Sequence, residues 1–205
     1  MMDNILKYFI RIVLFVFNPY LIPTLGFVAI MNYIPGVDFF STRLKFVIVG
    51  VVLLSSCIIP LTFILLINLN RTGEKGMTLF FDNVMPNILF ALCTFLGSQF
   101  LGRLPIPGIF SVYLLGFCIL MIISVVISYK WKISEFTMTL GGLLGILIAL
   151  NFKYGMNILW LIIGIVLISG VVGSSRIYME KDSQHQVYSG FLTGVLSLFL
   201  FIFLL

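Results

Sequence analysis

The sequence contains very little charge. Only 9% of its 205 residues are charged, whereas 61% are hydrophobic, and the mean hydropathy is +1.21. A soluble domain carries about a quarter charged residues, so this composition excludes a soluble globular fold. A signal peptide would supply only one short apolar run at the N-terminus, whereas here such runs recur along the chain. We therefore predict a multi-pass integral membrane protein.

Histidine and cysteine, which build most metal sites and all disulfides, are also scarce. The chain has one histidine, His185, and three cysteines, Cys57, Cys93 and Cys118, which lie far apart inside apolar runs. Cysteines in such runs behave as small hydrophobes, so we predict no disulfide framework, no metal site and no cofactor. The net charge of +5 comes from scattered basic residues, which favours anionic lipid headgroups over nucleic acid as the partner.

Apolar runs that fit membrane spans occur seven times. A transmembrane helix needs roughly 20 predominantly apolar residues, with some latitude inside a bundle. The sequence thus predicts an all-α transmembrane bundle of six or seven spans, forming one domain over residues 1–205. The candidate spans are Tyr20–Tyr33, Leu44–Leu69, Pro86–Leu101, Ile109–Tyr129, Phe136–Phe152, Asn157–Gly173 and Val187–Leu205.

The N-terminal segment is open to two interpretations. Ile5–Phe17 carries Lys7 and Arg11 among apolar residues, and Asn18-Pro19 separates it from the short first candidate span. Residues 1–19 are predicted either to lie along the membrane interface as an amphipathic helix or to form part of a longer, broken span.

Two sequence features predict details of the helix packing. Small residues recur at close intervals, in Gly141-Gly142 with Gly145 and in Gly190 with Gly194, which is typical of closely packed membrane helices. Pro60 lies within the second span, where it is predicted to kink the helix, with the freed carbonyl satisfied by neighbouring helices.

Counting the crossings places three polar loops on one membrane face. They are residues 70–85, 130–135 and 174–186, and each is separated from the next by two spans. The stretch Arg176–Gly190 gathers two basic residues, two acids and the only histidine, so it is the first place to look for chemistry. Loops are also polar because they meet water, and basic residues beside spans act as topology signals, so charge alone does not identify a site.

Several segments have a more specific pattern. They are Phe17–Phe27 (FNPYLIPTLGF), Trp131–Ser134 (WKIS) followed by Gly141–Gly145 (GGLLG), and Arg176–Tyr178 (RIY) followed by Gln186–Gly194 (QVYSGFLTG). Together they resemble a bacterial branch of the type 2 phosphatidic acid phosphatase superfamily, over nearly the whole chain and with the spacing kept. The resemblance implies a vanadium haloperoxidase-like helical fold in the bacterial inner membrane, with metal-free hydrolysis of phospholipid or polyprenyl phosphates.

The chain departs from that family at the positions that carry its chemistry. The family uses one histidine as nucleophile, a second as acid, and basic residues to hold the phosphoryl oxygens. Here Asn83 stands in place of a phosphate-binding arginine, Phe136 in place of the acid histidine, and Asp182 in place of the nucleophile, while Arg176 is kept. The usual chemistry is therefore expected to be absent.

The first functional hypothesis is a non-catalytic protein with this fold. It binds an anionic lipid or a polyprenyl phosphate, or serves as a subunit of a membrane complex. The candidate phosphate contacts are Arg176, Lys132, Ser134 and Lys181. In a simpler alternative, Arg176 and Lys132 only pair with Asp182 and Glu135.

Two other hypotheses stay open. An active lipid phosphatase with non-standard residues would use Asp182 to form an acyl phosphate, with Glu135, Glu180 and Asp182 as Mg²⁺ ligands, or would use His185 after a rearrangement of the loop. A channel or transporter would carry ionisable residues within its spans, and the predicted spans contain almost none.

Overall fold

The computed structural model describes residues 2–34, 37, 40–70 and 78–205, with side chains from Lys7 onwards except those of 67–70 and 78–83. Within these ranges the chain forms nine α-helices, and a π-helical segment, Leu54–Ile58, joins the third to the fourth. The helices are α1 (Met2–Val16), α2 (Ile22–Met31), α3 (Thr42–Leu53), α4 (Ile59–Asn70), α5 (Thr78–Gly102), α6 (Ile109–Ser128), α7 (Glu135–Tyr154), α8 (Leu159–Tyr178) and α9 (Gln184–Leu204).

Six helical segments in the described ranges are long and apolar enough to cross a membrane. They are Thr42–Leu66, Val84–Gly102, Ile109–Ser128, Glu135–Tyr154, Leu159–Tyr178 and Gln184–Leu204. The predictions of an all-α fold and of a multi-pass membrane protein are confirmed at this level. The first candidate span, Tyr20–Tyr33, forms only the ten-residue helix α2, which at 1.5 Å per residue extends about 15 Å and does not cross a bilayer by itself.

The chain divides into two compact units. Unit 1 contains Met1–Ile22 and Ile133–Leu205, and unit 2 contains Pro23–Lys132. The single membrane domain predicted over residues 1–205 stays a prediction.

Unit 2 packs α2 and the spans from α3 to α6 around aromatic and hydroxyl side chains. The rings of Phe27 and Tyr113 lie 5.4 Å apart, and the Tyr113 hydroxyl donates to the Pro23 carbonyl oxygen at 2.7 Å. Near Pro60 the span contains the π-helical segment, in which the Ser56 hydroxyl donates to the Val52 carbonyl oxygen at 2.8 Å. Proline disturbs the hydrogen bonds of the preceding turn, and the wider π turn accommodates it within a continuous span.

Unit 1 is centred on α7, which is the most enclosed of the six spans. α7 and α9 run parallel to each other. Gly141 contacts Phe191 near the start of the two helices, and Gly145 contacts Val195 about one turn further along both. A Cβ atom added at Gly194 would meet the carbonyl oxygen of Met138. The two helix backbones are therefore in direct contact through glycine, which confirms the packing role predicted for the small residues.

The helices extend further into the polar segments than the sequence suggested. The loop predicted at 174–186 is only Met179–Ser183, because α8 continues to Tyr178 and α9 begins at Gln184. α5 likewise begins at Thr78, inside the loop predicted at 70–85, while residues 71–77 lie outside the described part. The limits differ because hydrophobicity marks where a helix is buried, whereas polar turns continue a helix until its end is capped.

Candidate functional site

A short, fully specified turn connects α8 to α9. The N–H groups of Glu180 and Lys181 donate to the carbonyl oxygens of Ile177 and Arg176 at 2.9 and 3.2 Å, which is the hydrogen-bond pattern of a Schellman motif. Ser183 then caps α9 in a capping box, in which its hydroxyl accepts from the Gln186 N–H and its own N–H donates to the Gln186 side chain. These two caps fix Asp182 between the helix ends.

The Schellman turn has one residue in an unfavourable backbone conformation. Glu180 has φ of 54°, in the left-handed region that favours glycine. We expect Glu180→Gly to raise the free energy of unfolding by about 1 kcal/mol, because a non-glycine residue pays a steric cost there. Thermal unfolding in detergent measures the change. Glu180→Ala removes the same carboxylate without relieving the backbone, so an equal gain in that variant would contradict the explanation.

Asp182 is the centre of a buried polar cluster in unit 1. Its Oδ2 accepts a hydrogen bond from Arg176 Nε at 2.7 Å and another from the Ser134 hydroxyl at 2.7 Å. The Asp182 side chain is 0% exposed and that of Arg176 is 13% exposed. A buried carboxylate is stable only when it is paired and hydrogen-bonded, and these two donors provide that stabilisation at Oδ2.

The helix ends around Asp182 add to its electrostatic stabilisation. Ser134 is the N-cap residue of α7 and Ser183 that of α9, so Asp182 lies beside the positive ends of two parallel helices. Arg176 lies in the last turn of α8, where the negative end of the helix favours a cation. The backbone joins the same elements, because the Ser134 N–H donates to the Gln186 carbonyl oxygen at 3.3 Å.

Phe136 covers one face of the Arg176 guanidinium. The Arg176 guanidinium carbon lies 4.4 Å from the centre of the Phe136 ring, which is cation–π geometry. A phenyl ring has no proton to donate, so the cluster of Phe136, Arg176, Asp182 and Ser134 contains no general acid of the usual kind. The cluster can hold a carboxylate or another small anion against the Arg176 guanidinium.

Tyr20 approaches the same end of α7. It lies in the break between α1 and α2, where the Asn18 side-chain oxygen accepts from the Tyr20 N–H at 3.2 Å. Burial raises the pKa of the Tyr20 phenol, and the negative charge of Glu135, the first residue of α7, raises it further. The break after α1 therefore lies next to the N-terminus of α7.

The structure brings together some of the predicted site residues and leaves others apart. Arg176, Ser134 and Asp182 meet, whereas His185 is exposed in the first turn of α9 and makes no hydrogen bond or ion pair with the described residues. Lys181 is also exposed, and its backbone N–H completes the Schellman turn. His185 is thus not part of the cluster.

Three further predictions concern Lys132, Asn83 and the metal. Lys132 is exposed and belongs to unit 2, and Asn83 lies in α5 with its side chain outside the described part. Within unit 1 the loops predicted at 130–135 and 174–186 meet through Ser134 and Asp182. That the loop predicted at 70–85 joins them stays a prediction. Among the described residues no three His, Cys, Asp or Glu side chains gather as a metal site, so Glu135, Glu180 and Asp182 do not form the proposed Mg²⁺ ligand set.

Two contacts were not predicted from the sequence. The hydroxyl of Ser134 reaches Asp182 across 48 positions of sequence, and the Thr137 hydroxyl donates to the Val187 carbonyl oxygen at 3.0 Å. The glycines Gly190 and Gly194 indicated only a close helix contact, and in the structure they bring the first turns of α7 and α9 together.

Comparison of this chain with models of protein families, with curated proteins and with solved structures finds no match. The resemblance to phosphatidic acid phosphatases therefore rests on the sequence segments themselves.

Proposed function

We propose that this chain is a catalytically inactive multi-pass protein of a bacterial inner membrane, with phosphatidic acid phosphatase-like architecture. It acts by binding, either as a subunit of a membrane complex or as a holder of a phosphorylated lipid, and not by hydrolysis. The observation that carries the proposal is the buried Asp182 carboxylate held by Arg176 and Ser134.

The convergence of the motif positions supports the architecture. The resemblance assigns Phe136 to the acid, Asp182 to the nucleophile and Arg176 to the phosphate, and these three side chains are neighbours in unit 1. The negatively charged Asp182 carboxylate takes the place that a phosphoryl group would occupy beside Arg176. This contact supports the alternative in which Arg176 pairs with Asp182.

The same geometry argues against Asp182 as a nucleophile. An attacking carboxylate oxygen must reach a phosphorus atom and must not be stabilised by donors that it would lose. Here Oδ2 accepts two short hydrogen bonds and the side chain has no exposed surface. Hydrolysis through Asp182 would require opening the cluster, because the whole side chain is buried.

A direct assay of phosphate release tests the proposal. The purified protein in vesicles is given phosphatidic acid, a polyprenyl phosphate or a polyprenyl pyrophosphate, with and without Mg²⁺, beside Asp182→Asn. We expect release no higher than from protein-free vesicles, because the cluster has neither an accessible nucleophile nor a proton donor. Saturable release by the wild type would overturn the proposal, and release that Asp182→Asn leaves unchanged would exclude Asp182 as the nucleophile.

Lipid binding is measured in the same vesicles without turnover. Lys181 is exposed in the turn that holds Asp182, so a phosphorylated headgroup would approach the cluster of unit 1 past this residue. If the protein binds a phosphorylated lipid, phosphatidic acid binds saturably and Lys181→Gln weakens this binding. If binding does not saturate, the version with a protein partner in the membrane remains.

A further inference from the structure

Helix α1 has a surface that the rest of unit 1 leaves uncovered. Ile10 and Leu14 are buried, and α1 contacts α8. Val13 is half-buried, and the remaining apolar side chains of the helix from position 8 onwards are exposed: Tyr8, Phe9, Ile12, Phe15 and Val16. The basic residues Lys7 and Arg11 are exposed as well.

The three kinds of residue lie on separate sides of α1. At 3.6 residues per turn, Lys7 and Arg11 share one line along the helix, and Phe9 and Val16 share the opposite line. Ile10 and Leu14 lie to the flank of the basic line. The helix thus has a protein side, a cationic side and, opposite the cations, a hydrocarbon-like side.

This division does not suit a helix that crosses the bilayer. α1 has 15 residues and is about 22 Å long, which is less than the roughly 30 Å of the hydrocarbon core. A spanning orientation would also place Lys7 and Arg11 within that core, where charged side chains are strongly disfavoured.

The position of its end supports an orientation along the surface. α1 leads into the break that contains Tyr20, and Tyr20 lies close enough to Glu135 to interact with its charge. Glu135 is the first residue of the span α7, so this break lies where a membrane span begins. The C-terminal end of α1 is therefore at the membrane surface.

We propose that α1 lies in the plane of the membrane as a docking helix for anionic phospholipid headgroups of the surrounding bilayer. Lys7 and Arg11 pair with lipid phosphates, while Phe9, Ile12 and Val16 enter the upper hydrocarbon region. Cations on one side and apolar residues on the other complement the charge and the depth profile of a lipid surface. This interaction does not depend on the Asp182 cluster.

The depth of two positions tests the orientation. Phe9 and Val16 are on one line of the helix but about 10 Å apart along its axis. Single tryptophans at these positions, each in a full-length Trp131→Phe, Trp160→Phe background in nanodiscs, are quenched by lipids brominated at defined chain positions. An in-plane helix gives the same depth for both, whereas depths that differ by about 10 Å overturn the proposal.

The lipid charge is tested with the tryptophan at position 9. We expect brominated phosphatidylglycerol to quench this tryptophan at lower mole fraction than brominated phosphatidylcholine. The double variant Lys7→Gln, Arg11→Gln should remove most of that preference, because each basic residue contributes about five-fold to it. The matched control, Arg43→Gln with Lys45→Gln, removes the same charge at the start of α3 and keeps the preference.

An absent preference in the wild type, or an equal loss in the control, would overturn the docking to anionic lipid. The depth measurement keeps both basic residues, so it stands even if the double variant does not fold.

Discussion

Replacing Asp182 by alanine should lower the free energy of unfolding by about 3 to 5 kcal/mol, because it leaves a largely buried arginine and a buried hydroxyl without their acceptor. The guanidinium of Arg176 is held on one side by the Asp182 carboxylate and on the other by the Phe136 ring. Asp182→Asn keeps an acceptor of the same shape and should cost less, about 1 to 3 kcal/mol. Thermal and denaturant unfolding in a mild detergent measure both losses.

Two controls separate this result from a general loss of charge. Glu180→Gln removes an exposed carboxylate from the same turn and should change stability by less than about 0.5 kcal/mol. Removing both partners, by Arg176→Met with Asp182→Leu, should recover much of the stability, because no uncompensated charge remains in the interior.

The outcome also bears on function. Residues that act on a substrate are often retained at the expense of stability, so replacing them tends to leave the fold unchanged or more stable. If Asp182→Ala were as stable as the wild type or more so, the cluster would not be a structural clamp, and the proposal of an inactive site would lose its main support.

Replacing Gly194 by alanine should cost about 2 to 3 kcal/mol, although alanine normally favours a helix. The added methyl group would meet the carbonyl oxygen of Met138 and would lie 2.8 Å from the backbone nitrogen of Gly142. Backbone atoms of a packed span cannot move aside as a flexible side chain can, so α7 and α9 must separate. The fraction of protein that remains monodisperse after heating measures the loss.

A matched glycine in the same unit serves as the control. Gly164 lies in the span α8 and has nothing within 4 Å of an added Cβ, so Gly164→Ala introduces the same methyl group without a clash. It should be neutral, or more stable by up to about 1 kcal/mol. Equal losses at Gly164 and Gly194 would indicate that the close contact between α7 and α9 does not limit stability.

The sequence was sufficient for features that composition and spacing determine. Long apolar runs predict the spans because a membrane span must be apolar over its whole length, and Gly190 with Gly194 predicts a close helix contact because only small residues allow it. The candidate span Tyr20–Tyr33 was the exception, because it forms only the short helix α2. An apolar segment of this length fits either a short helix or the start of a longer span.

The details of the site needed the structure. Arg176 and Asp182 are six positions apart, so their pairing could be suggested from the sequence, but no pattern indicates that Ser134 donates to the same oxygen. That contact depends on the register between α7 and α9, which is set by the glycine contacts in the first half of each helix. The limits of the polar turn were also hidden, because its caps are hydrogen bonds and not a hydrophobic pattern.

The parallel contact of α7 with α9 has a consequence for biogenesis. α7 is synthesised before α8 and α9, yet its closest partner is α9, with a complete span between them in the chain. Until α9 enters the bilayer, the glycine face of α7 is open to lipid and to any other helix with small residues. Unit 1 is therefore complete only after α9 has entered the bilayer and has packed against α7.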